Sequence, residues 1–120
     1  MSLIYLAIPY SVWDTEKSFD VANKVAADLM QQGHTVFSPI SHSHPIQKEL
    51  PESCWNHDFW MNQDLPILRL CDKLYVVVIR SYNGVKVDGG ALLKKSRGCN
   101  QEIDLFIELN KPITYYTYGS

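Results

Sequence analysis

The chain has 120 residues, of which 46% are apolar and 20% charged, a composition typical of a globular domain. This length provides enough surface for one core, so we expect a single domain spanning residues 1–120. The net charge of −2 leaves no basic stripe for nucleic acid, and no apolar run reaches the ~18 residues of a membrane span. The three cysteines lack a CxxC spacing, which disfavours a disulfide framework and favours a cytoplasmic location.

The first third of the chain predicts a βαβ unit. Residues 3–8 form a continuous apolar run, which is typical of a parallel strand covered on both faces. Asp14 is a candidate N-cap for a helix over residues 15–32, in which apolar side chains recur at helical spacing. A short strand over residues 34–37 follows, and such crossovers are right-handed and parallel.

The middle of the chain predicts a loop, a helix and a central strand. Residues 38–51 contain three prolines and many turn-forming side chains, which favours a long loop. A helix is predicted over residues 54–70, where Pro66 marks either a kink or a fresh helix start. Residues 74–79 form the most strongly apolar strand, which we place at the centre of the sheet.

The last third predicts a loop, a helix and a strand. Residues 80–96 contain the pairs Asn83-Gly84 and Gly89-Gly90 without a clear period, which predicts an exposed, mobile loop or a hairpin. A helix is predicted over residues 99–109, after Gly98, and a strand over Ile113–Tyr118. The whole pattern predicts an α/β fold: a three-layer, doubly wound, flavodoxin- or Rossmann-like sheet of about four parallel strands with helices on both faces.

Three predicted loops meet at the carboxyl ends of the strands, where open parallel sheets bind ligands. These loops are residues 9–13, 38–51 and 80–98. The candidate site residues that they and the following helix carry are Pro9, Tyr10, Ser11, His42, His44, Ser96, Gly98, Asn100 and Glu102.

Glu102 is the strongest candidate for a catalytic residue. It is predicted in the first turn of the last helix, where backbone N–H groups stabilise an anion, so we expect its carboxylate to stay ionised near neutral pH. An ionised, positioned carboxylate is what the nucleophile of glycosyl transfer requires. Acidic residues are also common in first helical turns for structural reasons, and that interpretation stays open.

Asp64 is the better candidate for a second carboxylate, because the helix before it can aim it at the edge of the sheet. Asp72 directly precedes a buried strand and is more typical of a turn or cap. A structural role for Asp64 also stays open.

Other chemistries find weaker support in the sequence. His42, His44, Cys54 and His57 match no tight zinc spacing, so we expect no metal, and histidines over a cleft more often contact a ligand. Cys99 near a helix N-terminus is a conceivable nucleophile, ranked below Glu102. No GxGxxG or P-loop motif is present. We expect most aromatic residues in the core and one or two to stack on a planar base.

Four stretches of the chain resemble the nucleoside 2-deoxyribosyltransferase superfamily, including its 2′-deoxynucleoside 5′-phosphate N-hydrolase branch. The resemblance rests on the order and spacing of these stretches, which together span most of the chain. They are Ile4-Tyr5-Leu6-Ala7-Ile8-Pro9, Gln63-Asp64-Leu65 through Cys71-Asp72, Ser96-x-Gly98-x-x-x-Glu102, and Lys111-Pro112-Ile113.

The resemblance implies retaining cleavage or transfer of an N-glycosidic bond, with no metal or organic cofactor. It implies that Glu102 attacks the anomeric carbon and that Asp64 assists the departing base or orients Glu102. Tyr5 matches an aromatic residue that touches the nucleophile in some members, and Ser96 matches a sugar- or phosphate-contacting residue. The implied partner is a small nucleoside or nucleotide, and a neighbouring subunit of a homo-oligomer, a dimer or tetramer, is expected to complete the site.

The chain departs from the family pattern at Ile8, Asp104 and Phe106, where the family has Gly, Gly and Ala. These departures favour an alternative, a module that binds or senses a nucleotide without turnover. A third hypothesis is a related base–ribose hydrolase with a Gly-Gly…Glu turn, although Gly89-Gly90 lies too far from Glu102 for a good match.

Overall fold

The sheet at the centre of the molecule has four parallel strands in the order β2-β1-β3-β6. The computed structural model describes residues 2–120. The strands are β1 (Leu3–Ala7), β2 (Thr35–Phe37), β3 (Lys73–Ile79), β4 (Ser81–Tyr82), β5 (Val85–Lys86) and β6 (Ile113–Tyr118). The helices are α1 (Thr15–Gln31), α2 (Pro39–Gln47), α3 (His57–Leu70), α4 (Gly89–Lys95) and α5 (Arg97–Glu108).

Helices cover both faces of this sheet, because alternate side chains of β1 and β3 point to opposite sides. On one face, Leu6 and Ile79 pack against the apolar stripe of α1. On the other, Tyr5 and Val76 pack with residues of α3 and α5, including Phe106. The predicted α/β class, the three layers and the four parallel strands are therefore confirmed.

The ends of α1 follow the sequence signals. The side chain of Asp14 accepts hydrogen bonds from the backbone N–H groups of Glu16 and Lys17, as an N-cap does. After the helix, Gly33 has a φ of 95°, a left-handed conformation that an L side chain rarely adopts. Because α1 ends there, the chain turns directly into β2 and completes the first crossover.

The prediction of a loop over residues 38–51 is wrong for its first part, which is α2. Ser38 is the N-cap, and Pro39 occupies the first helical turn, where its missing N–H costs nothing. Pro45 lies inside the helix, and the hydroxyl of Ser43 donates to the carbonyl of Pro39 at 2.5 Å. The prolines that indicated a loop therefore include one that starts a helix.

The interpretation of residues 80–96 as a mobile loop is also wrong. Asn83 and Gly84, both with positive φ, form the turn of the β4–β5 hairpin, so the hairpin alternative holds. Gly89 begins α4, and a Cβ at this position would overlap the backbone of Ile79. Gly89 is needed for close packing of a helix on the end of β3, which the sequence does not distinguish from loop flexibility.

Two further boundaries differ from the prediction. α3 begins at His57, after a short 3-10 turn at Glu52–Cys54, and continues through Pro66 without a fresh start. α5 begins at Arg97, so Gly98 lies inside the helix. Within residues 2–120, no helix combines the length and the apolar character that a membrane crossing requires.

Candidate active site

A cavity of about 370 Å³ lies at the carboxyl end of β1, between α2 on one side and α3 and α5 on the other. Each helix presents one face to it, because residues three, four and seven positions apart share a helix face. From α2 these are Ile40, Ser43, His44 and Gln47, from α3 His57, Trp60, Met61 and Asp64, and from α5 Gly98, Cys99 and Glu102. The cavity thus brings together side chains that are far apart in sequence.

Glu102 lies in the second turn of α5, because Ser96 is the N-cap and Arg97 the first helical residue. Its side chain faces the cavity and is only 6% exposed. Burial raises the pKa of Glu102 to about 8, with a smaller raising contribution from the charge of Asp64. The expectation of an ionised Glu102 carboxylate near neutral pH is therefore wrong. The cost of removing the anion from water is larger than the stabilisation that the helix N-terminus gives it.

Asp64 lies on the cavity-facing side of α3 and is 8% exposed. Burial raises the pKa of this carboxyl to about 6. Because the charge of Asp64 also raises the pKa of Glu102, the two groups titrate as a pair, and the pair retains about one proton near neutral pH. One buried site therefore holds a carboxylic acid and a carboxylate together.

Tyr5 lies beneath this pair, on the face of β1 that packs against α3 and α5. Its side chain is fully buried, and its hydroxyl has no hydrogen-bond partner among the residues described. The hydroxyl is nevertheless close enough to the Glu102 carboxyl to lower the pKa of that group. Burial and both acids raise the pKa of Tyr5, so it remains a neutral phenol that can donate to Glu102.

On the opposite wall, a chain of hydrogen bonds joins Tyr10, His44 and Glu16. The Tyr10 hydroxyl lies 2.5 Å from Nδ1 of His44, and Nε2 of His44 lies 3.1 Å from Oε1 of Glu16. His44 is 7% exposed and stacks on Phe19, with ring centroids 4.3 Å apart. Ser11 also lines the cavity and is exposed to solvent. Tyr10, Ser11 and His44 are thus brought to the cavity.

Ser96 and Gly98 also line the cavity, at the N-terminal end of α5. The Ser96 hydroxyl accepts a hydrogen bond from the backbone N–H of Cys99 and caps the helix. Cys99 itself is buried, and burial raises the pKa of its thiol to about 12. The helix N-terminus does not offset this effect of burial, so Cys99 is not a thiolate at neutral pH and the hypothesis of a Cys99 nucleophile finds no support.

Three predicted site residues lie away from the cavity. His42 is exposed on the other side of α2, packed on Phe37, since residues two apart on a helix point in nearly opposite directions. Asn100 is exposed and donates to the carbonyl of Lys94. Pro9 is buried, and its carbonyl accepts from Ser18. Residues 2–120 contain no cluster of three or more His, Cys, Asp or Glu suited to a metal.

Several cavity residues were not predicted, among them Ser43, Gln47, Asn56 and Met61. The indole N–H of Trp60 donates to Oε1 of Gln47 at 2.8 Å, linking α3 to α2. The signal for Ser43 and Gln47 is the i, i+3, i+4, i+7 spacing from Ile40 to Gln47. That spacing becomes visible only once Ser38-Pro39 is interpreted as a helix start.

Comparison with known proteins finds a matching family model and matches among solved structures. A family model described as "Domain of unknown function (DUF1937)" matches residues 2–118. A solved 2-deoxyribosyltransferase from Bacillus psychrosaccharolyticus, studied as a biocatalyst for nucleoside synthesis, is 25% identical with a TM-score of 0.55. The match covers 97% of this chain and 72% of that one. None of the curated proteins matches the chain.

Proposed function

The chain belongs to the DUF1937 family and has the fold of the nucleoside 2-deoxyribosyltransferase-like superfamily, and from this membership we propose that it cleaves or transfers the N-glycosidic bond of a nucleoside or nucleotide. The observation that carries the proposal is the meeting of Glu102 and Asp64 in one buried cavity. The sugar passes from its base either to a second base, as in a transferase, or to water, as in a hydrolase.

Glu102 is proposed as the nucleophile. Its carboxylate attacks the anomeric carbon, the bond from that carbon to the base nitrogen breaks, and the electron pair leaves with the base. An acid must protonate the departing base, and Asp64 is the proposed donor. A second base or water then gives a proton to the Asp64 carboxylate and attacks the same carbon. The bond to Glu102 breaks, so that the configuration of the sugar is retained.

The proton shared by the two carboxyl groups suits this scheme. Because burial raises both pKa values, the pair can supply one acid and one base near neutral pH. With a pKa of about 8 for Glu102 and about 6 for Asp64, that proton lies on Glu102 in the free protein, so it must move to Asp64 before Glu102 can attack. The nearby Tyr5 hydroxyl favours this transfer, because it lowers the pKa of Glu102. The positive charge that develops on the sugar in the transition state then stabilises the ionised Glu102 further.

The remaining cavity residues are proposed to bind the substrate. Ser96 and Gly98 lie beside Glu102 on α5 and are placed to contact the sugar, while Tyr10, Ser11 and His44 lie on the opposite wall. Trp60 and Trp55 offer planar rings for a base, and stacking of this kind contributes about 1–3 kcal/mol. This chemistry requires neither a metal nor an organic cofactor.

A second subunit is proposed to complete the site. The cavity opens to solvent beside Ser11, which is exposed, and water must be excluded if the sugar is to reach a second base. Light scattering at assay concentration tests this part of the proposal. We expect a dimer or tetramer, and a monomer with full activity would exclude it.

The reaction is tested by incubating the protein with 2′-deoxynucleosides and their 5′-monophosphates, with and without a second base, and separating the products by chromatography. Glu102→Gln should abolish release or exchange of base, whereas Glu108→Gln, at an exposed position of the same helix, should retain it. A mass increase of one deoxyribosyl group on Glu102 would identify the covalent intermediate. Release of base by Glu102→Gln at the wild-type rate would exclude the proposed nucleophile.

A binding or sensing module without turnover is the second candidate, and the raised pKa of Glu102 favours it. A carboxyl group with a pKa of about 8 is mostly protonated at neutral pH and is then a poor nucleophile. Calorimetry combined with product analysis separates the candidates. Binding without product supports the sensor, and measurable product excludes it.

A further inference from the structure

The chain of contacts through Glu16, His44 and Tyr10 constrains where the hydrogens lie. An ionised carboxylate can only accept a hydrogen bond, so the Nε2 atom of His44, 3.1 Å from Glu16, must carry a hydrogen. In neutral imidazole the other nitrogen then has none, and Nδ1 is an acceptor. When His44 is neutral, the Tyr10 hydroxyl, 2.5 Å from Nδ1, therefore donates to it.

This assignment determines what Tyr10 offers to a ligand. Thr15 also hydrogen-bonds to the Tyr10 hydroxyl. With its hydrogen directed to His44, the hydroxyl presents the remaining lone pair of its oxygen to the cavity that Tyr10 lines. The stacking of His44 on Phe19 holds the imidazole in place. Tyr10 thus faces the cavity as a hydrogen-bond acceptor, although a free tyrosine can act as donor or acceptor.

The neighbouring groups on this wall are constrained in the same way. Ser43 directs its hydroxyl hydrogen to the carbonyl of Pro39, which leaves its oxygen as an acceptor. The Oε1 atom of Gln47 accepts from the indole N–H of Trp60, which leaves the amide nitrogen of Gln47 as a donor. The wall formed by Tyr10, Ser43 and Gln47 therefore combines acceptors with one donor.

The wall comes from α2 and the loop after β1, whereas the two carboxyl groups lie on α3 and α5. In the sheet, β2, which precedes α2, lies on the other side of β1 from β3 and β6, which follow α3 and α5. We propose that the Glu16–His44 pair positions the Tyr10 hydroxyl as an acceptor for an exocyclic amino group of a nucleobase, so that Tyr10 determines base specificity. The assignment of the base to this wall rests on the proposed function, since that function puts the sugar at Glu102. Glu16 and His44 are positioning residues, and they act through Tyr10.

The test compares 9-methyladenine with 9-methylpurine, which differ only in the exocyclic amino group and have no glycosidic bond to cleave. Binding to the wild-type protein is measured by calorimetry. One net hydrogen bond corresponds to a preference of about two- to tenfold, and we expect 9-methyladenine to bind more tightly by such a factor. In Tyr10→Phe the two compounds should bind within twofold of each other.

The positioning role has its own variants. His44→Phe keeps a ring stacked on Phe19 but frees the Tyr10 hydroxyl to rotate, so the preference should fall. Glu16→Gln keeps an acceptor oxygen and should retain the preference, whereas Glu16→Ala should reduce it. Nitrogen NMR of the wild-type protein at pH 8 should show His44 with a hydrogen on Nε2 and none on Nδ1.

Several results would overturn the proposal: equal binding of the two compounds to the wild type, no measurable binding of either, a preference unchanged in Tyr10→Phe, or a hydrogen on Nδ1 of His44. None of these depends on turnover. If no glycosidic cleavage is found but the preference is present and lost in Tyr10→Phe, the proposed reaction fails while the amino-group selectivity of the site is supported.

Discussion

The indole Nε1 of Trp60 donates a 2.8 Å hydrogen bond to Oε1 of Gln47, and this bond joins α3 to α2 at the wall of the cavity. The two helices follow one another in the connection from β2 to β3, and the bond holds the cavity-lining face of α2 at a fixed distance from α3, which carries Asp64. The width of the site therefore depends on a contact that neither carboxyl group makes.

Replacing Trp60 with Phe should widen the cavity but keep an aromatic ring at this position. The ring remains, but the bond to Gln47 is lost, and we expect the free energy of unfolding to fall by about 1 kcal/mol. The Michaelis constant should rise several-fold with a smaller change in kcat. Urea denaturation and steady-state kinetics measure both, and Trp13→Phe, outside the cavity lining, is the control for the Michaelis constant. A larger effect in the control would contradict this assignment.

The burial of Glu102 predicts a specific dependence of stability on pH. Its pKa rises from an ordinary 4.5 to about 8 on folding, so the folded state binds the proton more tightly than the unfolded state. The resulting stabilisation is complete below about pH 4.5 and is lost as the pH rises through about 8. Over that interval the contribution is on the order of 5 kcal/mol.

Denaturation in urea at pH values from 5 to 9 measures this dependence. Glu102→Gln should remove most of the decline, because the amide stays neutral, and should be more stable than the wild type at pH 9. Glu108→Gln, at an exposed position on the same helix, should retain the decline. Parallel curves for the wild type and Glu102→Gln would show that burial does not perturb Glu102.

Tyr5→Phe should separate catalysis from stability. The lost hydroxyl is buried without a partner among residues 2–120, so we expect the free energy of unfolding to stay within about 1 kcal/mol of the wild type. The pKa of Glu102 should rise, because the nearby Tyr5 hydroxyl lowers it although the two groups do not meet hydrogen-bond geometry. A slower kcat and a pH–rate profile shifted to higher pH are the expected results.

The matched control for this variant is Tyr75→Phe, on β3 and outside the cavity lining. It should leave the pH–rate profile unchanged. If Tyr5→Phe also leaves the profile unchanged, the Tyr5 hydroxyl does not act on Glu102.

Adjacent glycines at the start of α4 should respond in opposite directions to substitution by alanine. A Cβ at Gly89 overlaps the backbone of Ile79, so Gly89→Ala should destabilise the protein by about 2–3 kcal/mol. At Gly90 the nearest atom to an added Cβ is an oxygen of Asp88 at 3.7 Å, so Gly90→Ala should be neutral or stabilising by up to about 1 kcal/mol. Thermal unfolding measures both, and equal effects would contradict the packing argument.

The central sheet could be predicted from sequence because its strands are continuous apolar runs, as in β1 and β3, which only a sheet buried on both faces accommodates. α2 could not be predicted, because Pro39 and Pro45 are loop formers on average and only position distinguishes a proline in a first helical turn. The same local information made Gly89-Gly90 indistinguishable from a loop.

The candidate carboxyl groups could be predicted, but their protonation could not. The position of Glu102 near a helix start indicated an anion, whereas its pKa depends on burial by side chains from other elements. His42 and Asn100 were misplaced for a related reason, since the face on which a residue lies requires the helix boundaries.

The position of α2 has a consequence for how such a protein could diversify. Among the described residues of α2, Ile40 is the apolar side chain that packs against the core cluster containing Leu6 and Ile79. The same helix supplies one wall of the cavity. Mutations on that wall can therefore accumulate without loss of the folded state, and a new ligand preference can evolve while the carboxyl pair on α3 and α5 is unchanged. In a library randomised at Ile40 and Gln47, we expect a larger soluble fraction than in one randomised at Val76 and Phe106.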